Sequence, residues 1–347
     1  MVPVLEAIMS ELNMRRDELS GLTVNSVYFG GGTPSLLGYD ELMRFFELLH
    51  AGFIIDQGAE ITLEANPDDL SGSYIRELRR TPVNRLSVGV QSFRNEDLLL
   101  MNRAHDAAQA DRCIPDAADA GFTDISIDLM FGLPGLSMEG WTENVHRALS
   151  LPITHLSCYG LTVEPRTALD AFIRKGSCIA PDEGEAARQY RWLLDETAHS
   201  GFPWYEISNF SRPGFASRHN TSYWQGTHYL GAGPSAHSYD GRARSWNVSN
   251  NARYVQAIAE GRRMAETEVL GEAERFNEAV LTALRVRTGL SLTNIRKVFG
   301  DKHAEHLISE AEPFITSSWL NQEGDNLALT TEGLLFADRI TSSLFIV

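Results

Sequence analysis

Short β-rich runs alternate with helix-period segments through residues 26–200, and no other feature constrains the fold as tightly. The runs fall at 26–29, 60–64, 85–90, 124–130 and 155–161. Helical patterns fill the gaps at 39–50, 74–80, 95–101, 107–120, 140–149 and 183–200. Strands joined through helices pair in parallel by right-handed crossovers, so the expected class is α/β. The strands read as near-continuous apolar runs, the pattern of a sheet whose faces, or whose outside, are covered by helices. The segment 4–19 reads as a single leading helix with Leu5, Ile8, Met9 and Leu12 on one stripe.

Each strand is followed by residues that a plain connection does not need. In α/β sheets and barrels, functional loops lie at the carboxyl ends of the strands. Gly30-Gly31-Gly32-Thr33-Pro34 ends the first run and reads either as a tight turn or as backbone that a ligand approaches closely. It lacks the Lys-Ser/Thr of a phosphate loop. Glu64, Gln91 and Asp128 end or follow later runs, and Arg103 lies a little downstream. A carboxylate on an otherwise apolar strand costs desolvation unless it is paired. The four are expected to share a pocket suited to a zwitterionic, hydroxyl-rich ligand, with a structural carboxylate–Arg pair as the alternative.

From about residue 201 the texture changes to aromatics and glycines, including Trp204, Tyr205, Phe210, Tyr223, Trp224, Tyr229 and Trp246. His219 lies in Arg218-His219-Asn220-Thr221-Ser222-Tyr223-Trp224 and is either a ligand for a transition metal or heme iron, or a satisfied loop histidine. His228 and His237 have weaker context. Helical patterns near 274–284, 292–299 and 302–311, a short strand at 327–329 and a helix from 332 suggest a winged-helix-like module, with Ser291 as an N-cap. The net charge of −16 argues against broad binding to nucleic acid or to anionic membrane. No apolar run approaches a membrane span, and Glu6 and Glu11 interrupt the apolar residues at the start, which does not read as a signal peptide. The three cysteines, Cys113, Cys158 and Cys178, are far apart and fit a reducing cytosol. Cys113 and Cys158 read as small buried hydrophobes.

Taken in order, the motifs resemble the HemW-type heme chaperones, relatives of the oxygen-independent coproporphyrinogen III dehydrogenases in the radical SAM superfamily. The markers are Tyr28-Phe29-Gly30-Gly31-Gly32-Thr33-Pro34-Ser35, Glu64-Ala65-Asn66-Pro67, Gly89-Val90-Gln91-Ser92-Phe93 and Asn102-Arg103-Ala104-His105. They continue with Asp128-Leu129-Met130-Phe131-Gly132-Leu133-Pro134-Gly135, Tyr205-Glu206-Ile207-Ser208-Asn209, the His219-to-Trp224 motif and Tyr229-Leu230-Gly231-Ala232-Gly233-Pro234-Ser235-Ala236-His237-Ser238. The resemblance implies a partial (β/α)6 barrel over 1–200, an aromatic and Gly-rich extension over 201–265 and a winged-helix-like module over 266–347. It also implies that Gly31, Gly32, Thr33, Glu64, Gln91, Arg103 and Asp128 contact S-adenosylmethionine (SAM), and that His219 contacts heme.

One departure is large. The family carries a first strand and a Cys-x3-Cys-x2-Cys loop for a [4Fe–4S] cluster ahead of the helix that here begins near Val4, and neither has a counterpart in this chain. The expectation is a barrel lacking its first strand, from a start assigned too far downstream rather than from a true cluster-less form, with residues 26–29 as an open apolar edge. The leading functional expectation is a cytoplasmic heme chaperone that passes heme to a client protein and meets membranes only through that client. Radical decarboxylation of coproporphyrinogen III and a cluster-less interaction protein are the alternatives. A nucleic-acid role for the winged module is not expected. SAM affinity is expected to be weak without the cluster.

Overall fold

The computed structural model describes residues 2–346. Helix α1 (Val2–Met14) is followed by a 3-10 turn, Arg16–Leu19, so the helix expected over 4–19 breaks after Met14. Five parallel strands follow: β1 (Thr23–Phe29), β2 (Ile54–Ala65), β3 (Arg85–Gln91), β4 (Ile125–Phe131) and β5 (His155–Gly160). They are joined through α2 (Tyr39–Gly52), α3 (Gly72–Leu78), α4 (Asn95–Leu100), α5 (Ala107–Asp119) and α6 (Met138–Ser150). After β5 come α7 (Ala168–Arg174), a helix absent from the expected pattern, and α8 (Glu183–His199). The chain then returns to the same sheet as an antiparallel pair, β6 (Trp204–Glu206) and β7 (Asn209–Ser211). The sheet order is β1-β2-β3-β4-β5-β7-β6, curled into a half-barrel.

The strands correct the expectation of near-continuous apolar runs. Side chains alternate across a strand, and here the two faces differ in chemistry. Leu63, Ala65, Leu86, Val88, Ile125, Ile127, Leu129, Leu156 and Cys158 face the helices and form the core with Phe46, Ile75, Ile114, Trp141 and Leu193. The other face carries Ser26, Glu60, Thr62, Glu64, Arg85, Ser87, Ser126, Asp128, His155 and Ser157. The register sets these side by side, as Ser26 with Glu60, Thr62 with Arg85, Ser126 with His155, and Asp128 with Ser157. The helices therefore cover one face only, and the concave face is polar. β2 also runs back to Ile54, well before the expected start, through a register irregularity opposite Val24–Ser26.

Helix α9 (Arg218–Trp224) packs against β1. Beyond it lie β8 (His237–Tyr239), β9 (Ala243–Asn247), α10 (Asn251–Ala259) and β10 (Ala265–Val269), with the small sheet in the order β10-β9-β8. This part is pinned to α1 by one buried carboxylate. Glu11, 0% exposed, accepts from Arg15 at 2.9 Å, from the Gly233 amide at 2.9 Å, from the Tyr254 hydroxyl at 2.6 Å and from Asn247 at 2.8 and 3.0 Å. Arg15 continues to Glu18, to the Gly231 carbonyl and to Ser238. A buried charge is tolerable only when it is paired and hydrogen-bonded in this way.

The chain ends in a winged-helix order: α11 (Glu272–Arg285), β11 (Leu290–Ser291), α12 (Leu292–Phe299), α13 (Asp301–Thr316), β12 (Leu320–Glu323), β13 (Asn326–Leu329), a 3-10 turn and α14 (Ala337–Ser343). Ser291 caps α12 as expected, accepting from the Asn294 amide at 3.1 Å. Buried Glu206 of β6 ties the module to the half-barrel. It accepts from Arg285 Nε at 3.1 Å, from Asn209 at 2.6 Å and from the Ser208 amide at 3.0 Å. The core runs without a break from the sheet helices into this module through Phe276, Leu284, Ile295 and Leu307. Among the described residues no helix is long and apolar enough to cross a membrane.

Candidate functional site

The carboxyl ends of β1–β4 bring the first group of expected residues together. The Tyr28 hydroxyl donates to Glu64 Oε1 at 2.6 Å, and the Gly31 amide donates to Glu64 Oε2 at 3.2 Å. Gly31 has φ +79°, a left-handed conformation that favours glycine, and a Cβ on Gly30 would run into the Tyr28 ring and stand 2.9 Å from the Glu64 carboxyl. Gly30 is thus required by the approach of β1 to Glu64, and Gly31 by its left-handed backbone. Gly31, Gly32 and Thr33 are exposed on the rim, open to a ligand.

Arg103 reaches back across the strand ends. Its Nη2 donates to Asn66 Oδ1 at 2.7 Å and to the Gly89 carbonyl at 3.0 Å, while its buried Nε has no partner among the described residues. A Cβ on Gly89 would press on both the Gln91 amide and the Arg103 guanidinium, at 3.0 and 3.2 Å. Gln91 sits at φ +65°, where β3 breaks register with β4. A non-glycine residue held there stores backbone strain, a feature that clusters at ligand sites. The structural alternative of a direct carboxylate–Arg pair is not what is seen: Arg103 pairs with neutral acceptors, and Glu64 with Tyr28 and the Gly31 amide.

Asp128 lies deeper on the concave face. Burial pushes its carboxyl up to about 7, the Ser157 hydroxyl opposes the shift, and the Glu64 charge adds to it. Burial, then the Glu64 charge and hydrogen bond, raise the Tyr28 hydroxyl, which stays protonated. Tyr159, at the far edge on β5, is likewise raised by burial and by Asp128. Below them the concave face is closed by a neutral relay. His155 contacts Ser126 at 2.7 Å through Nδ1 and the Tyr205 hydroxyl at 2.8 Å through Nε2, and burial together with the Arg85 charge holds it well below its usual range. The buried Thr62 hydroxyl has no partner among the described residues.

His219 is brought to this face from 155 residues beyond Glu64 in the sequence. Its ring stacks on Tyr28 (centroids 4.6 Å apart, planes 17° apart) and meets the Tyr223 ring edge-on at 5.0 Å. Nδ1 lies 3.0 Å from Ser26 Oγ, while Nε2 has no hydrogen-bond partner among the described residues. Burial holds the imidazole below its usual range against the opposing Glu60 charge, so it is neutral at pH 7. Further rings extend the ledge outward: Tyr229 at 4.7 Å from Tyr223, and Tyr239 at 6.2 Å from Tyr229. The residues expected at 26–29 as an open apolar edge are instead covered in part. Ser26 and Tyr28 carry the His219 ring, and Phe29 packs on Phe45 and Phe46. His228, in the segment before β8, and His237, on β8, are exposed away from the concave face: His228 meets the Tyr239 ring edge-on and His237 stacks on Trp246.

Six of the expected residues therefore lie along the strand-end rim, Asp128 lies below them on the concave face, and His219 lies beside the rim, joined through Tyr28. Ser26, Tyr28, Glu60, Arg85, His155 and Tyr205 were not singled out for the site from the sequence. Their signal is the period-2 placement of polar residues within the strands.

A metal cluster is a different matter. Cys113 and Cys158 are buried among core side chains away from the concave face, and burial raises both thiols. Cys178 is in the loop before α8. Among the described residues no group of three or more His, Cys, Asp or Glu is placed to hold a metal ion. The residues present do not fit a [4Fe–4S] cluster. They do fit a zwitterionic, hydroxyl-bearing ligand, with an unpaired buried guanidinium nitrogen, a rim carboxylate and open glycine backbone.

Two family models match the chain, the radical SAM superfamily over residues 5–148 and the HemN C-terminal domain over residues 270–336. The heme chaperone HemW of Mycobacterium tuberculosis is 36% identical over 341 residues, covering 98% of this chain and 85% of that protein. The heme chaperone HemW of Bacillus subtilis is 34% identical over 286 residues, covering 82% of this chain and 74% of that protein. Among solved structures, the radical SAM enzyme coproporphyrinogen III oxidase (HemN) from Escherichia coli matches with a TM-score of 0.84 at 24% identity, covering 99% of this chain and 82% of that one. That likeness supports the half-barrel with its C-terminal module, and nothing finer. By sequence identity over nearly its whole length, with radical SAM and HemN C-terminal segments in order, this chain belongs to the HemW heme-chaperone family.

Proposed function

We propose that the chain binds heme at the aromatic ledge around His219 and delivers it to a client protein in the cytoplasm. The observation that carries this reading is a neutral imidazole held between Tyr28 and Tyr223, with Ser26 on Nδ1 and Nε2 unpartnered among the described residues. Neutral imidazole nitrogen is a good ligand for iron, and flat rings beside it can stack on a macrocycle. A heme titration tests it. The expected result is a Soret band shift that saturates near one equivalent and is altered in His219→Ala. No shift, or an unchanged one in His219→Ala, overturns the assignment.

Gly31, Gly32, Thr33, Glu64, Gln91, Arg103 and Asp128 are proposed to hold SAM. Its ammonium and ribose hydroxyls suit the carboxylates, and its carboxylate suits the Arg103 side. SAM supplies a sulfonium centre when bound. In the radical SAM family an iron–sulfur cluster acts on that centre, and the residues described here do not fit one, so no radical step is assigned to them. The proposed division into 1–200, 201–265 and 266–347 assigns SAM to the first part, heme to the junction of the first two, and client docking to the third. Nucleic acid is not proposed as a partner, because the exposed face of α13 carries Asp301, Glu305, Glu310 and Glu312 against Lys302.

A further inference from the structure

His219 is fixed more completely than a surface-loop histidine needs to be, and the residues that fix it come from strands distant in the sequence. Glu60, 4% exposed, accepts from three donors at the start of α9: the Ser217 hydroxyl at 3.1 Å, the Arg218 amide at 2.8 Å and the His219 amide at 2.9 Å. The register irregularity in β2 presents the Gly58 carbonyl to Arg218 Nη2 at 2.6 Å, which braces the same turn. Ser217 closes the turn by capping Asn220 at 3.1 Å. The backbone of His219 is thereby bolted to β2. Its ring is set separately, by the face of Tyr28 and by Ser26 Oγ on β1. Tyr28 is in turn held by Glu64.

We infer that Ser26, Tyr28 and Glu60 are positioning residues for cargo capture: together they turn Nδ1 of His219 to the protein and leave Nε2 as the nitrogen that meets heme iron. Only one ring nitrogen can serve a metal when the other is engaged by a protein oxygen, and such an outer contact fixes ring orientation and raises the basicity of the ligating nitrogen. In the heme-bound form Nδ1 carries the proton and donates it to Ser26 Oγ, while Nε2 offers its lone pair. Glu60 acts at one remove, by fixing the Cα position from which the ring projects. The shared residue Tyr28 makes Glu64 on the proposed SAM rim a neighbour of the heme ligand, with a single side chain between them.

This inference rests on the proposed heme role of His219, and the test separates the two. Heme complexes of the full chain and of Ser26→Ala, Ser26→Thr, Tyr28→Ala, Tyr28→Phe and His219→Ala are compared by Soret position, by electron paramagnetic resonance of the ferric form and by affinity. Circular dichroism melting confirms that each variant is folded. Ser26→Ala and Tyr28→Ala are expected to weaken heme binding on the order of 10-fold and to shift the resonance toward a mixture of axial geometries, the scale seen when an outer-shell partner is lost. Ser26→Thr keeps the hydroxyl and Tyr28→Phe keeps the ring, and both are expected to recover the spectrum of the parent chain. If His219→Ala alters the spectrum but Ser26→Ala and Tyr28→Ala leave it unchanged, the positioning inference fails and the heme reading stands. If His219→Ala is itself without effect, the heme reading fails first. Nitrogen NMR of the unliganded protein gives an answer free of heme: the His219 Nδ1 signal should move in Ser26→Ala while the Nε2 signal keeps the shift of a solvent-facing nitrogen. An unmoved Nδ1 signal overturns the Ser26 contact.

Discussion

Glu11→Ala is the sharpest perturbation the structure offers outside the site. Truncation removes a fully buried carboxylate that accepts from Arg15, the Gly233 amide, Asn247 and Tyr254, with Arg263 a further 3.6 Å away. Arg15 retains Glu18, Gly231 and Ser238, and Asn247 retains the Gly233 carbonyl, so these two are only partly orphaned. The Gly233 amide and the Tyr254 hydroxyl lose their carboxylate outright, at about 1–3 kcal/mol for each buried donor left unmet. Two guanidinium groups also lose the charge that offsets their burial. Breaking one side of such a buried pair costs about 3–5 kcal/mol, and that is the expected loss. Glu11→Gln keeps the volume but turns one acceptor into a donor facing donors, and should cost less, about 1–3 kcal/mol. Urea unfolding followed by tryptophan fluorescence measures both, since Trp246 pairs in the same small sheet as Asn247. Limited proteolysis of residues 231–264 should accelerate in the same order. A loss below about 1 kcal/mol for Glu11→Ala would refute the reasoning, because the node would then be exchanging freely with water.

Asp128→Asn should change the pH dependence of stability in a definite direction. The folded carboxyl is raised to about 7, so the folded state holds more protons than the unfolded one between about 4 and 7, and stability falls as pH rises through that window. Melting at pH 5 and pH 8 should show Asp128→Asn gaining on the parent chain at pH 8, and an equal difference at both would contradict the shift. Glu206→Ala leaves Arg285 uncompensated at the joint with the C-terminal module, and should lower stability by about 3–5 kcal/mol with early proteolytic release of residues beyond 270. SAM titrated calorimetrically against the chain should bind weakly and more weakly still in Glu64→Ala, whereas tight binding would mean that the rim alone supplies the affinity. Fluorescence anisotropy with duplex DNA at physiological salt should show no binding, and a salt-sensitive rise would give the winged-helix-like module a nucleic-acid role.

The sheet and the rim were legible in the sequence for a physical reason. Glycine triplets, Asn-Pro and Gly-Leu-Pro-Gly punctuate strand ends, and strand ends are where this architecture places its loops. What was misread is the interior of the strands. Glu60-Ile61-Thr62-Leu63-Glu64-Ala65 and Arg85-Leu86-Ser87-Val88-Gly89 alternate strictly, which is the signature of one polar and one apolar face, yet they passed as apolar runs because every second residue is a strong hydrophobe. Glu11 reads from the sequence only as an interruption of an apolar helix, because apart from Arg15 its partners lie more than 220 residues away. Glu60 and Ser26 were missed for the same reason. His219 stood out by motif, while the partners that orient it depend on a docking that no window of sequence contains. Helix α7 is only two turns long, and although Leu169, Phe172 and Ile173 fall at helical spacing, none of its residues is buried, so no packing marks it as an element of the core.

The bolting of α9 to β1 and β2 also fixes an order of events during synthesis. Ser26 meets its imidazole partner 193 residues later, and Glu60 waits 157 residues for Ser217. At 5–20 residues per second, the ribosome leaves Ser26 without that ring for roughly 10–40 seconds. On the proposed role of His219, the nascent half-barrel in that interval has no nitrogen to face iron, and the seat proposed for heme is complete only once that later segment has been made.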